Sequence, residues 1–132
     1  MSNGSRLVEL FERELTGRII GAAIEVHRVL GPGLLESAYR MCLVHQLALD
    51  DLRADREVAI PVAYKGLQLD CGFRADIIVE NCVVLELKTV ERLLPVHDAQ
   101  LLTYLKLCEC RVGLLLNFNA SSLRNGLRRL VR

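Results

Sequence analysis

The sequence has no tryptophan, only three phenylalanines and three tyrosines. So few rings exclude an extended stacking surface of the kind that tracks single-stranded nucleic acid. Lysine is scarce as well. Three lysines stand beside fourteen arginines, and sixteen acidic residues bring the formal net charge to +1. A chain this close to neutrality has no broad basic field with which to hold duplex nucleic acid by phosphate neutralisation alone. No apolar run approaches the length of a membrane span, so no membrane partner is expected, and no secretory leader precedes the first charged segment. The expected location is cytoplasmic. The five cysteines, Cys42, Cys71, Cys82, Cys108 and Cys110, form no CxxC pair and are odd in number. They read as buried free thiols of a reducing compartment. His27 and His97 lie far apart in sequence, which argues against a histidine-based zinc site.

What the chain does have is apolar content. Of its 132 residues 52% are hydrophobic and 25% charged, the balance of one globular domain with a sizeable core. Residues 1–6 read as a loose N-terminus. From about Leu7 to Leu30, Leu15, Ile19, Ile20, Ala23, Ile24 and Val26 keep an apolar side at helical spacing, with Thr16 as a possible internal cap that would divide the segment in two. Gly31-Pro32-Gly33 stops it, and a second helix runs from about Leu35 to Asp50. Beyond Asp51 the period changes to two. Val58, Ile60 and Val62 alternate, Lys65-Gly66 makes a turn, Leu67-Gln68-Leu69 resumes, and Phe73–Val79 and Val83–Lys88 read as strands. Pro95 opens a helix to about Cys108. Val112–Phe118, almost wholly apolar, is expected to be a strand covered on both faces. The tail from Ser121 suits a short helix or a strand, and Gly126 weakens both readings. The expectation is mixed α/β, with a central mixed sheet flanked by helices.

The run CVVLELK, residues 82–88, carries a carboxylate and an ammonium inside a buried strand. Asp76 belongs to the preceding strand. Asp76 and Glu86 stand opposite only if the hairpin pairs positions summing to 162, which needs a three-residue loop or a bulge at Glu80-Asn81-Cys82. A two-residue turn at Glu80-Asn81 would send them to opposite faces. Only the first option puts Ile77, Val79, Val83, Leu85 and Leu87 on one face, so Asp76 and Glu86 are expected to be cross-strand neighbours. Two close carboxylates repel unless a proton or a cation lies between them, and Mg²⁺ or Mn²⁺ would resolve the conflict. Lys88 would then assist at a metal-bound water or at a charged phosphorus centre; alternatively it pairs with Glu86 or Glu91. Glu36 is a candidate further ligand, or else an acidic residue set against a helix dipole. Gln100 is a candidate for positioning water. Arg74, two residues from Asp76, would either neutralise it or contact a substrate phosphate. Tyr39 and Tyr104 are candidate substrate contacts, with core or rim packing as the plainer alternative.

Gly33-Leu34-Leu35-Glu36-Ser37-Ala38-Tyr39 fits a GxxExxY pattern, and the stretch IIGAAIEVHRVLGPGLLESAY from Ile19 resembles the opening of the GxxExxY protein family. YKG at Tyr64–Gly66, FRADIIVEN at Phe73–Asn81, VVLELKTVE at Val83–Glu91, PVHDAQLLTYL at Pro95–Leu105 and GLLLNFN at Gly113–Asn119 continue the likeness in order. That family is grouped with the PD-(D/E)XK nuclease-like superfamily, so the resemblance implies a single domain with an α-β-β-β-α-β core. It implies that Asp76 is the first acidic residue of the motif, that Glu86 and Lys88 are the E-x-K pair, that Glu36 is the helix carboxylate, and that Gln100 and Tyr104 are the polar positions of the following helix. Mg²⁺ (or Mn²⁺) would sit on Asp76, Glu86 and the Leu87 carbonyl, with Glu36 direct or through water. The function implied is metal-dependent hydrolysis of DNA or RNA phosphodiester bonds. The alternative is an inactive nuclease-fold binding or assembly module acting through a homodimer or a protein partner.

Overall fold

The computed structural model describes residues 3–70 and 72–132. Helix α1 spans Asn3–Leu30, and Leu15, Ile19, Ala22, Ala23 and Val26 form its buried stripe at the three- and four-residue spacing of one helix face. The helix therefore takes in residues 3–6, expected to be loose, and it is continuous. Thr16 does not cap a second helix; it is buried, and its hydroxyl donates to the Arg13 carbonyl one turn back at 3.1 Å. Gly31 and Gly33 end the run with φ of 68° and 106°, a backbone region that glycine enters at no steric cost.

Helix α2 spans Glu36–Leu49. Tyr39 fixes the turn that precedes it: its hydroxyl donates to the Gly31 carbonyl at 2.5 Å and accepts the Leu34 N–H at 3.1 Å. The ring is fully buried and stacks on Phe118, with centroids 4.6 Å apart. Tyr39 thus packs in the core and offers no surface to a substrate.

The strands are β1 (Ala54–Ala59), β2 (Val62–Tyr64), β3 (Leu67–Leu69), β4 (Arg74–Val79), β5 (Val83–Lys88), β6 (Val112–Asn117) and β7 (Leu127–Val131), with helix α3 (Pro95–Cys108) between β5 and β6. Five strands form one sheet in the order β1-β4-β5-β6-β7. Only the β5–β6 pair is parallel, and α3 makes the crossover that a parallel pair requires. The expected meander is different in one respect. Strands β2 and β3 leave the main sheet and pair only with each other, because Pro61 removes the N–H that would carry the ladder past Ile60. Lys65 and Gly66, with φ of 46° and 89°, close that small hairpin in the positive-φ geometry that matches strand twist. The tail resolves into a 3-10 turn at Leu123–Gly126 followed by β7. A Cβ on Gly126 would lie 2.5 Å from the Asn117 carbonyl oxygen, so only glycine lets the turn approach the end of β6.

Helices α1 and α2 cover one face of the sheet, where Ile77, Val79, Val83, Leu85 and Leu87 meet Ile19, Leu43 and Leu47. Helix α3 covers the other, where Leu101 and Leu105 pack on Ile78, Val84 and Leu115. Apolar residues fill β6 on both faces, as its composition predicts. The cysteines are less uniformly buried than expected: Cys110 is buried, Cys82 and Cys108 are half-buried, Cys42 is exposed and all four are free, while Cys71 lies outside the described residues.

Tyr39→Phe keeps the stacked ring but removes both bonds across the Gly31–Leu34 turn. We expect it to destabilise the fold by about 1–2 kcal/mol, read as a lower urea midpoint at unchanged slope. An unchanged midpoint would show that the glycines hold the turn unaided.

Candidate active site

The hairpin of β4 and β5 pairs Val79 with Val83, Ile78 with Val84 and Ile77 with Leu85, the register summing to 162 that the apolar pattern demands. Its three-residue loop is built on Glu80 and Asn81, both with φ near 51°. The Glu80 backbone N–H donates to the Arg53 carbonyl at 2.9 Å, its carboxylate accepts the Arg53 N–H at 3.2 Å, and Cys82 N–H closes onto Val79.

Regular pairing is interrupted at Asp76: the ladder with β1 skips it and the ladder with β5 ends one residue before it. On the β1 side, Arg56 pairs with Ile77 and Val58 with Ala75, but Glu57 turns into the left-handed region at φ 48° and skips Asp76. On the β5 side side chains replace the ladder: Asp76 N–H donates to Glu86 Oε1 at 3.2 Å, and Leu87 N–H donates to Asp76 Oδ2 at 2.8 Å. The expected cross-strand neighbours are thus in contact, each carboxylate held by a backbone donor. Strand alternation also turns the Leu87 carbonyl toward this gap. Its N–H faces Asp76, whereas the next carbonyl, that of Lys88, faces the other way and accepts Phe118 N–H at 2.9 Å.

Electrostatics follow from the packing. Glu86 is only 5% exposed. Burial, and then the charge of Asp76, push it up to about 8, against the opposing pull of the Asp76 N–H and the Lys88 ammonium. Burial and then Asp76 also raise Glu36, with Lys88 and Arg40 opposing. Tyr104 is raised by burial and then by Glu86, while the hydrogen bond from Gln100 acts the other way. A polar relay runs off the end of β5. Lys88 Nζ donates to Gln100 Oε1 at 3.4 Å, and Gln100 Nε2 donates to the Tyr104 hydroxyl at 3.2 Å. Behind Lys88, the buried Asn117 accepts Val90 N–H at 3.1 Å and donates to the Val90 carbonyl at 2.9 Å, tying the segment after β5 to the end of β6.

Two expectations change. Arg74 does not reach Asp76: it donates to its own neighbour, the Phe73 carbonyl, at 2.9 Å and lies 3.8 Å from Asp70. Arg40 takes that place, 3.7 Å from Asp76 Oδ1 and 3.3 Å from Glu57. Its position four residues after Glu36, on the same helix face, was the available signal. Glu36 itself stays outside direct reach. Among the described residues no three His, Cys, Asp or Glu side chains close into a metal-binding group, and Arg40 occupies the approach to Asp76 from α2.

The donor set still suits a hard divalent ion. Two carboxylates in electrostatic conflict and a backbone carbonyl offer only oxygen, and Mg²⁺ binds through one or two carboxylates with water completing its shell. Asp76, Glu86 and the Leu87 carbonyl are the groups that would hold it. The model of the PD-(D/E)XK nuclease superfamily matches residues 13–130, which takes in every element of this site. The chain belongs to the PD-(D/E)XK nuclease superfamily. Comparison with curated proteins and with solved structures finds no match. Membership suggests nuclease-like activity, and enzymes of this superfamily typically use divalent metal ions.

Because the folded state holds a proton on Glu86 more tightly than the unfolded chain does, the metal-free protein loses stability as pH rises from the usual carboxylate range to about 8. Glu86→Gln keeps the oxygen that accepts Asp76 N–H and removes the charge. We expect it to melt several degrees above wild type at about pH 8.5 and close to wild type at about pH 5, each shift reflecting roughly a few kcal/mol or less. Equal destabilisation at both pH values would mean that the carboxylate is not in conflict.

Proposed function

We propose that the protein is a metal-dependent nuclease that hydrolyses nucleic-acid phosphodiester bonds at Asp76, Glu86 and Lys88. The observation that carries this reading is the carboxylate pair, Glu86 buried and Asp76 half-buried, placed where β4 leaves its ladder with β5, with a lysine next along β5. Holding a buried carboxylate beside a second one is costly, and a structural ion pair would bring Lys88 onto Glu86. Instead, the Lys88 ammonium is bonded to Gln100.

A divalent ion bound to Asp76, Glu86 and the Leu87 carbonyl would neutralise phosphate charge and make a coordinated water acidic. Lys88 supplies a mobile cation for the negative charge that develops on the phosphoryl oxygens. Gln100 holds that ammonium and has a second polar end, bonded to Tyr104, with which to orient water. Arg40 sets the charge of the Asp76 side of the site from α2, and Glu36, half-buried and raised, acts through the field or through a water molecule. The GxxExxY motif at Gly33–Tyr39 supports a place in the GxxExxY family within the superfamily. Magnesium or manganese suits the donor set, and DNA and RNA are both within the reading. With a net charge of +1, recognition of duplex sequence would call for a second copy of the chain.

Titration calorimetry with Mg²⁺ and Mn²⁺ tests the site, and a gel assay on DNA and RNA tests the activity. Asp76→Ala and Glu86→Ala are expected to abolish saturable metal binding. Lys88→Ala is expected to leave metal affinity within about threefold of wild type while slowing cleavage by about a hundredfold or more. Folded variants with undiminished metal binding would sink the assignment. Metal binding without cleavage of any nucleic acid would favour the inactive assembly module instead.

A further inference from the structure

Gln100 and Tyr104 face two ways. Their polar ends join the relay to Lys88, while the same two residues form one wall of a groove of about 380 Å³. Val62, Phe73, Val96, Ala99 and Leu107 supply the rest of its apolar lining. The groove lies at the end of the sheet where the site is. Phe73 immediately precedes β4, its carbonyl accepts Ile60 N–H at 3.0 Å, and β4 and β5 run antiparallel, which brings the start of β4 beside Glu86 and Lys88.

Its chemistry is unlike that of a phosphate track. Among the described residues no cation lines it; Arg74, next to Phe73, is turned toward Asp70, and Lys106, next to Leu107, is exposed outside the lining. A phosphate placed there would lose its hydration without a partner. A nucleobase would not: it is flat, uncharged and presents a π-face to Phe73, which is 47% exposed. Gln100 and the Thr103 hydroxyl at the rim can meet its polar edge. The volume falls at the lower end of small-molecule pockets, which suits one base and not a stack of several, in keeping with the shortage of aromatic residues. A base in a duplex is stacked and edge-paired, and would have to be extruded to enter.

We propose that this groove receives one unpaired nucleobase next to the phosphate to be cut, so that the substrate class is unpaired nucleic acid: single strands, flaps or frayed ends. The proposal rests on the hydrolytic reading of the neighbouring carboxylates.

The test uses the full chain and fluorescein-labelled oligonucleotides of about fifteen nucleotides, unpaired or paired as a blunt duplex. Anisotropy is read with Ca²⁺ and cleavage with Mn²⁺. Ala99→Phe fills the groove from an exposed helix position and Phe73→Ala removes its aromatic wall; circular dichroism checks that both fold. Unpaired strand should bind about tenfold or more tighter than duplex, and each variant should lose about tenfold in affinity for it, raising KM while kcat and Mn²⁺ affinity stay near wild type. If wild type cuts and Ala99→Phe cuts equally well, or if duplex and unpaired strand bind alike, the groove assignment fails while the metal site stands. If nothing is cut but binding of unpaired strand still responds to Ala99→Phe, the groove stands and the hydrolytic reading fails. No binding of any oligonucleotide overturns the groove.

Discussion

The repulsion between Asp76 and Glu86 constrains everything around it. In water two carboxylates at hydrogen-bonding distance from one another's backbone would separate or take up a proton. Here neither can move away, because each is pinned by a main-chain donor of the other's strand. The sheet gives up regular pairing at this point to make those two bonds possible. A continuous ladder would have used the Leu87 N–H for a β4 carbonyl, and the Asp76 side chain would have had no fixed position. Broken pairing and fixed carboxylates are therefore one structural fact, and burial, together with the charge of Asp76 held there, pushes Glu86 up to about 8.

Breaking a sheet at its working end costs stability, and the protein offsets the loss with side-chain-to-backbone bonds placed around the break. Tyr39 closes the turn from which Glu36 and Arg40 follow. Asn117 fastens the segment behind Lys88 from the far strand. Arg40 balances charge on both Asp76 and Glu57, the left-handed residue of β1. None of these groups needs to touch a reacting atom. Their effect is to hold three separate elements in register where main-chain pairing no longer does so, which is the condition for a site precise enough for chemistry.

The sheet register was legible before any coordinate because the period-two pattern of β4 and β5 tolerates only one face for Ile77, Val79, Val83, Leu85 and Leu87. Helix ends at Gly31 and Pro95 were legible for equally local reasons. What escaped was set by tertiary geometry. A strand-like pattern at Val62 and Leu67–Leu69 does not say which sheet it joins, and the answer lay in the missing N–H of Pro61. Alternation puts Arg74 on the Asp76 face as either its counter-ion or a phosphate contact, but it does not say that the guanidinium folds back to Asp70 and the Phe73 carbonyl. Arg40 was overlooked because helix and strand were read apart, although its spacing from Glu36 placed it on the same face. The choice between helix and strand at the tail turned on a close approach of Gly126 to the Asn117 carbonyl, a contact between residues nine positions apart that no local propensity encodes.

The same logic connects the neutral composition to the division of labour at the site. An enzyme that relies on many phosphate contacts needs free cations, yet most arginines near this end are already committed: Arg40 to Asp76 and Glu57, Arg74 to Asp70, and Arg128 to Asp98 at 2.6 Å. Lys88, by contrast, is bonded to the neutral Gln100. In the proposed reaction, attraction to a polyanion is then concentrated at Lys88 and not spread over a surface. Affinity must then come from elsewhere, and the uncharged groove that shares Gln100 and Tyr104 with the relay is the surface next to that position able to supply it through apolar contact.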